Sequence, residues 1–320
     1  MLKQIELKTT IDFDFYGNRL DHTLSSIFTD YSRNRIKEWI LSGFIKVNGV
    51  TIISPKCKVK GGEAVEINAH IEEQERWLPQ EIYLDVVWED DHILVINKPQ
   101  NFVVHPGAGT PDKTVLNALL YRYPELSLVP RAGIVHRLDK DTTGLMVVAK
   151  TIEAQTKLVN MLQKRLFTRE YEALVNGTLV GGGQVNQPIG RHPSKRTLMS
   201  VNANGKQAIT HFRVATNYRA HSRIILRLET GRTHQIRVHM SYISHPLIGD
   251  TAYGGRRRIA KNISSSLKAC LQSFPRQALH ARMLRLNHPI TNEEMSWKAP
   301  LPNDMKLLKK ELEEDFKIGE

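Results

Sequence analysis

The sequence predicts an α+β protein of two units, and three observations carry that prediction. At 320 residues the chain exceeds one typical small domain. Segments with strand spacing outnumber those with helix spacing, and their order is not a βαβ alternation. That favours a mixed, mainly antiparallel sheet with helices packed around it. A short polar run, Ile71-Glu72-Glu73-Gln74-Glu75-Arg76, has the composition of a linker. The expected boundaries are 17–70 for the first unit, 71–80 for the linker and 81–320 for the second.

In the first unit Leu20, Leu24 and Ile27 recur at helical spacing. Ser32 offers a cap for a second helix with Ile36, Trp39 and Ile40 inward, and Gly43 ends it. Ile45-Lys46-Val47, Asn48-Gly49 and Val50-Thr51-Ile52 predict a hairpin with a type I′ turn, and Glu63 to Ile67 a further strand. Arg33, Arg35, Lys37 and Lys46 fall on exposed positions. In the second unit strands are expected at Leu84 to Trp88, Ile93 to Asn97, Leu145 to Ala149, Tyr171 to Val175, Thr210 to Val214, Ile224 to Leu228 and Gln235 to His239. Helices are expected through Val115, Leu116, Leu119 and Leu120, from Ile152 to Arg165, and through Met305, Leu308, Leu312 and Phe316.

Lys plus Arg number 45 against 33 acidic residues, a net charge of +12 that points to a polyanion, either nucleic acid or an anionic membrane. No apolar stretch approaches membrane-spanning length. The N-terminal residues Lys3, Glu6, Lys8, Asp12 and Asp14 leave no room for a signal-peptide core. Cys57 and Cys270 lie far apart, which argues against a disulfide framework or a cysteine zinc site. The expectation is a cytoplasmic, RNA-handling protein with no membrane or DNA partner, a monomer by default. From Arg191 to Arg258 the many basic residues are opposed only by Glu229 and Asp250, the pattern of a phosphate-tracking surface.

Residues 136 to 144, His-Arg-Leu-Asp-Lys-Asp-Thr-Thr-Gly, concentrate the chemistry. A polar loop feeding a buried strand leaves its side chains free for substrate work. A lone loop aspartate is more often a turn-former, but Arg137 and Lys140 flank Asp139 closely, and such cations favour the ionised form that a nucleophile or base requires. Asp139 and Asp141, two apart in an extended segment, would sit roughly 7 Å apart, within range of an inverting glycosidase. The positive charge and the lack of clustered aromatic residues argue against a polysaccharide substrate. Pro111 and Asp112 break any dinucleotide-loop pattern after Gly107 and Gly109. His234 and His239, on an expected strand, would face opposite sides with no acidic cluster to complete a metal site. Neither cofactor nor metal is expected.

The His136-Arg137-Leu138-Asp139 segment resembles the signature of the RluA family of pseudouridine synthases. Gly231-Arg232-Thr233-His234-Gln235-Ile236-Arg237-Val238-His239 resembles its second hallmark, and Arg169-Glu170-Tyr171-Glu172-Ala173 a third. Asn97-Lys98-Pro99 with His105-Pro106-Gly107 resembles the opening of the same catalytic domain. From about Gly17 to Phe316 the chain is similar to the RluD subgroup, which modifies large-subunit ribosomal RNA. The first unit, two helices and a small sheet, is similar to an S4 RNA-binding module. The resemblance implies a pseudouridine synthase fold for 81–320 and cofactor-free isomerisation of uridines in large-subunit (23S) ribosomal RNA or its precursor particle.

The resemblance makes Asp139 the catalytic carboxylate, sets Tyr171 against the target base and pairs Arg237 with Asp139. It sends Arg137 into the space left by the extruded base and makes Ile236 the apolar wall opposite. Two chemical routes stay open, direct attack on the nucleoside and proton removal to a glycal. Arg237 and Arg137 have phosphate contact as a second reading, Tyr171 and Ile236 a place in the core. Lys140 and Asp141 carry no assignment beyond shaping the loop. The alternative functions are a synthase acting on other ribosomal or transfer RNA uridines, and a non-catalytic ribosomal RNA-binding assembly factor.

Overall fold

Ile5 and Leu7 alternate with polar neighbours, and this period-two pattern makes β1 (Lys3–Thr10) a strand with one apolar face. It is followed by α1 (Leu20–Ile27), α2 (Arg33–Leu41), β2 (Ile45–Val47), β3 (Val50–Thr51) and β4 (Ala64–Ile71). The computed structural model describes residues 3–28, 31, 33–71, 77–107, 109–255 and 263–318. The chain divides into two units, residues 1–76 and 77–320. In the first, the sheet order is β1-β4-β2-β3 with antiparallel pairing throughout. Asn48 and Gly49 both have positive φ, 49° and 79°, as a type I′ turn requires. Leu20, Leu24, Ile36, Trp39 and Ile40 of the helices close on Ile45, Val65 and Ile67 of the sheet.

The expected start at Gly17 is thus corrected. β1 pairs with β4 from Lys3 opposite Ile71 to Thr10 opposite Ala64, so the unit needs its first residues. The expected linker is also shorter at its far end. Asn117 donates to the Leu78 carbonyl at 2.9 Å, and the Gln80 and Asn117 backbones are hydrogen-bonded at 3.0 Å, which fastens 77–80 to the second unit. Ser32 as a cap, the Arg35 side chain and the polar run 72–76 lie outside the described residues. Arg33 is exposed as expected, and it and Arg19 both grip buried Asp21 at 3.0 Å.

The second unit contains β5 (Val86–Glu89), β6 (Ile93–Lys98), α3 (Val115–Arg122), β7 (Thr143–Ala149), α4 (Ile152–Gln163), β8 (Thr168–Asn176) and β9 (Gly183–Asn186). There follow β10 (Ile189–Arg191), β11 (Met199–Val201), β12 (Ile209–Asn217), β13 (His221–Leu228) and α5 (Gln235–Tyr242). The last elements are α6 (Ser265–Ser273), β14 (Leu279–Asn287), β15 (Glu294–Lys298) and α7 (Asn303–Ile318). Nine strands form one sheet in the order β5-β6-β7-β14-β8-β13-β12-β9, with β15 on β14. The sheet is mixed and mainly antiparallel. Among the described residues only β7 and β14 run parallel, His280 beside Thr143 and Ala281 beside Gly144. That approach requires a glycine: Gly144 has φ 113°, and a Cβ there would stand 2.2 Å from the Ala281 carbonyl oxygen.

β6 and β7 are buried on both faces, as their unbroken apolar runs demand. Leu94, Ile96, Met146 and Val148 pack with α3 and with Ile236 and Met240 of α5. Ile93, Val95, Leu145 and Val147 pack with Leu158 of α4 and with Trp297. Each such Leu or Ile contributes roughly 1.5–3 kcal/mol when fully buried. No described helix is long and apolar enough to cross a membrane.

The expected strand at Gln235 to His239 is instead helix α5. Gln235 through Met240 are all buried, so the helix shows no polar face and its Ile236 and Val238 imitate strand alternation. The basic stretch also needs correction as a uniform surface. Arg223 faces Glu172 at 3.7 Å, Arg219 faces Asp315 at 3.6 Å, and Arg237 is buried. Acids distant in sequence neutralise what local counting leaves unpaired, while Arg256, Arg257 and Arg258 lie outside the described residues.

Candidate active site

The loop before β7 is held from three sides. His136 at its start accepts a hydrogen bond on Nε2 from the Val147 amide at 3.0 Å, so the ring is neutral. Burial, reinforced by the Arg169 charge, pushes its pKa down to about 3. Lys98, 1 % exposed at the end of β6, donates to the carbonyls of Pro99, Phe102 and Lys140 at 2.7, 2.9 and 2.9 Å. Burial pulls its ammonium down to about 7, while Asp141 and Asp139 act in the opposite sense. From the other side Arg276 donates to the Asp141 carbonyl at 3.0 Å, and Gln277 to the Thr142 hydroxyl at 3.1 Å. The Asp141 carboxylate accepts from the Asn101 amide at 3.2 Å. Asp141 therefore shapes the loop and does not line the cleft, whereas Asp139 does, which removes the two-carboxylate glycosidase reading.

The cleft measures about 590 Å³, and Asp139, Arg137, Tyr171, Ile236 and Arg237 all line it. Arg237, on α5, binds Asp250 with both Nε and Nη2, at 2.7 and 2.9 Å, and offers Nη1 to Asp139 Oδ2 at 3.2 Å. Burial alone would lower the guanidinium pKa, but Asp250 and then Asp139 raise it above its ordinary value. Arg237 thus contacts Asp139 directly. Asp250 in turn accepts from the amides of Ala252 and Tyr253, both at 3.1 Å. Tyr171 is 6 % exposed, and burial raises its phenol pKa. Among the described residues its hydroxyl has no hydrogen-bond partner. Ile236 belongs both to the core and to the cleft wall. Arg137 is exposed at the cleft.

The sequence reading does not reach His234, Tyr253, Asp250 or the clasp of Arg276. His234 caps α5 in the left-handed region, φ 55°, with Nε2 3.9 Å from Asp139 Oδ1 and Nδ1 2.6 Å from the Tyr253 hydroxyl. That hydroxyl also accepts from the Met199 amide at 2.9 Å, and its contact with Nδ1 leaves the Nε2 edge of the ring facing Asp139. Tyr253 also covers Arg237, ring centroid 4.9 Å from Cζ. His239, by contrast, is a core residue bonded to Thr210 and the Gln187 carbonyl. Among the described residues no cluster of metal-ligating side chains exists.

The model for the RNA pseudouridylate synthase family matches residues 92–242, which span Asp139, Tyr171 and Arg237. The chain is 60% identical to the ribosomal large subunit pseudouridine synthase D of Vibrio parahaemolyticus, over 98% of this chain and 97% of that one. It is 58% identical to the protein of the same name from Escherichia coli strain K12, over 99% and 97%. Among solved structures it is similar to human RNA pseudouridylate synthase domain containing 4, at 26% identity and TM-score 0.57, over 72% of this chain and 93% of that chain. Human domain containing 1 gives 27% identity and TM-score 0.54, over 69% and 84%. A carboxylate fixed by an arginine in a cleft of this sheet, and near full-length relatives of one kind, make the chain a member of the RNA pseudouridylate synthase family.

Proposed function

We propose that this protein isomerises specific uridines of large-subunit (23S) ribosomal RNA to pseudouridine without a cofactor. The observation that carries the reading is the Asp139–Arg237–Asp250 chain: one carboxylate in the cleft, held on Oδ2 by an arginine that a second, fully buried carboxylate grips. The reaction breaks the bond from ribose C1′ to uracil N1, turns the base and joins C1′ to C5. The C5 proton is lost and N1 gains one, so the product is an isomer and no oxidant or water is consumed.

Asp139 either attacks C1′ or removes a ribose proton, and both routes use the ionised form with the oxygen that Arg237 leaves free. Tyr171 offers a ring face to a flipped pyrimidine, with Ile236 as the opposing wall. Exposed Arg137 is suited to fill the gap that the base leaves in the RNA. His234 keeps the Asp139 carboxylate oriented from its other side. The first unit acts as an S4-like module that holds structured RNA, with the ribosomal RNA or its precursor particle as partner. The reading implies a cytoplasmic protein working as a monomer. It is supported by the relatives' names and by the basic charge of the chain.

Tritium release tests it. RNA carrying uridine tritiated at C5 should lose label to water when incubated with the protein, with the RNA chain intact. Free base in the products, or retention of all label on large-subunit transcripts, would reject the proposal.

A further inference from the structure

Four cations among the described residues are at most 9 % exposed: Lys98, Arg169, Arg237 and Arg276. Three of them have hydrogen-bond partners for their charged heads. Lys98 donates to three carbonyls, Arg237 to Asp250 and Asp139, and Arg276 to Asp304 at 2.7 and 3.0 Å as well as to carbonyls. Arg169 is the exception. Its Nε is buried without a hydrogen-bond partner, and its guanidinium has no ion pair among the described residues.

The position of Arg169 explains both facts. It lies on β8 two residues before Tyr171, so the two side chains share one face of the strand. Both line the cleft that holds Asp139. Glu172 points to the other face, where it meets Arg223 and Arg282 at 3.7 and 3.5 Å, out of reach. The guanidinium lies against Gly231, where an added Cβ would stand 2.9 Å from Nη1. Gly231 thus leaves room for the arginine head at the cleft wall.

Burying a cation without a counter-charge is destabilising, and a neutral uracil carbonyl would not remove that penalty. A phosphodiester would, since it carries a fixed negative charge and two oxygens that match the guanidinium fork. We propose that Arg169 is the docking point for a phosphodiester flanking the flipped uridine, left unpaired in the free protein so that RNA completes it. This inference rests on the RNA-modifying reading of the cleft.

The test uses the full chain, wild type and Arg169→Met, which keeps bulk and removes charge. Removing an unpaired buried cation should raise the melting temperature of the free protein by about 2–4 °C. RNA affinity should fall roughly tenfold to hundredfold, and the slope of log affinity against log salt should shrink by about one. Two RNAs, each with a single neutral methylphosphonate on one side of the target uridine, are compared with sugar-matched charged controls. One of them should weaken wild-type binding by the same factor as the variant and leave the variant unaffected. A variant that melts lower and binds RNA normally has lost a structural residue, and the proposal fails. It fails equally if wild type and variant respond alike to both neutralised RNAs. Wild-type tritium release on the same RNAs reports separately on the parent reading, because the binding comparison does not depend on turnover.

Discussion

Asp250 holds Arg237 by two parallel hydrogen bonds, 2.7 and 2.9 Å, and so decides where Arg237 presents Nη1 to Asp139. Asp250→Asn should keep a neutral acceptor but lose the charge. Turnover of bound RNA is expected to fall at least tenfold while RNA affinity changes little. Asp250→Ala strands a buried arginine and should also destabilise the fold by about 3–5 kcal/mol. Denaturant unfolding and single-turnover assays read the two effects, and unchanged turnover in both variants would separate Asp250 from the chemistry.

Asp139→Asn should abolish tritium release with folding and RNA affinity nearly intact, because the amide is nearly isosteric but is neither nucleophile nor base. Asp141→Asn is the control. Its carboxylate caps the Asn101 amide, so activity should persist with a modest loss of stability. Reversed outcomes would move the chemistry to Asp141.

Tyr171→Phe keeps the ring and removes a hydroxyl that has no partner among the described residues. The expected result is a large loss of turnover with modest change in binding, and no loss of stability. Wild-type rates in the Phe variant would leave the tyrosine only a stacking role.

Acid should destabilise the second unit. Burial pushes His136 down to about 3, and His105, His221 and His280 to about 4, from an ordinary 6.5. Below pH 6.5 the unfolded chain takes up protons that these folded histidines refuse. Their contribution is therefore complete above about pH 6.5 and is lost as pH falls toward 4, by up to about 1.4 kcal/mol per pH unit for each group. Half-buried His105 contributes less than the rest. Urea midpoints at pH 7.5 and pH 5 should differ clearly, with net proton uptake on unfolding; equal midpoints would contradict the assignment.

Residues 77–320 alone should still release tritium at saturating RNA. Binding to folded ribosomal RNA should weaken, with a shallower salt dependence because fewer phosphates are contacted. Equal affinity of the well-folded fragment and the full chain would remove the RNA-holding role from the first unit.

Asp139, Arg137, Tyr171, Ile236 and Arg237 are legible in the sequence because each sits inside a run of residues whose wording is specific. Their supports are not. Lys98 stands at the end of a strand pattern, where a lysine reads as exposed, and only the folded backbone reveals three carbonyls around it. Asp250 reads as a stray acid in a basic stretch, although it is the partner that turns Arg237 inward. His234 and Tyr253 meet across a loop that no local period encodes. α5 misleads for a different reason: periodicity reports burial on one side, and six successive residues of this helix, Gln235 to Met240, are all buried. β1 is the opposite case, since the alternation of Ile5 and Leu7 is plain once the first residues are read as structure.

β14 lies between β7 and β8, although it is made long after both. A nascent chain that has emerged as far as Arg237 carries every candidate catalytic side chain but no site. The strands bearing Tyr171 and the Asp139 loop have nothing between them, and Arg276 and Gln277 are not there to clasp the loop. Joining them requires closing a loop from Thr143 to His280, the kind of distant pairing that makes folding slow. Catalytic competence thus arrives late in synthesis, as one event, when β14 enters the sheet. Until then two open strand edges are the part of the chain most exposed to mispairing.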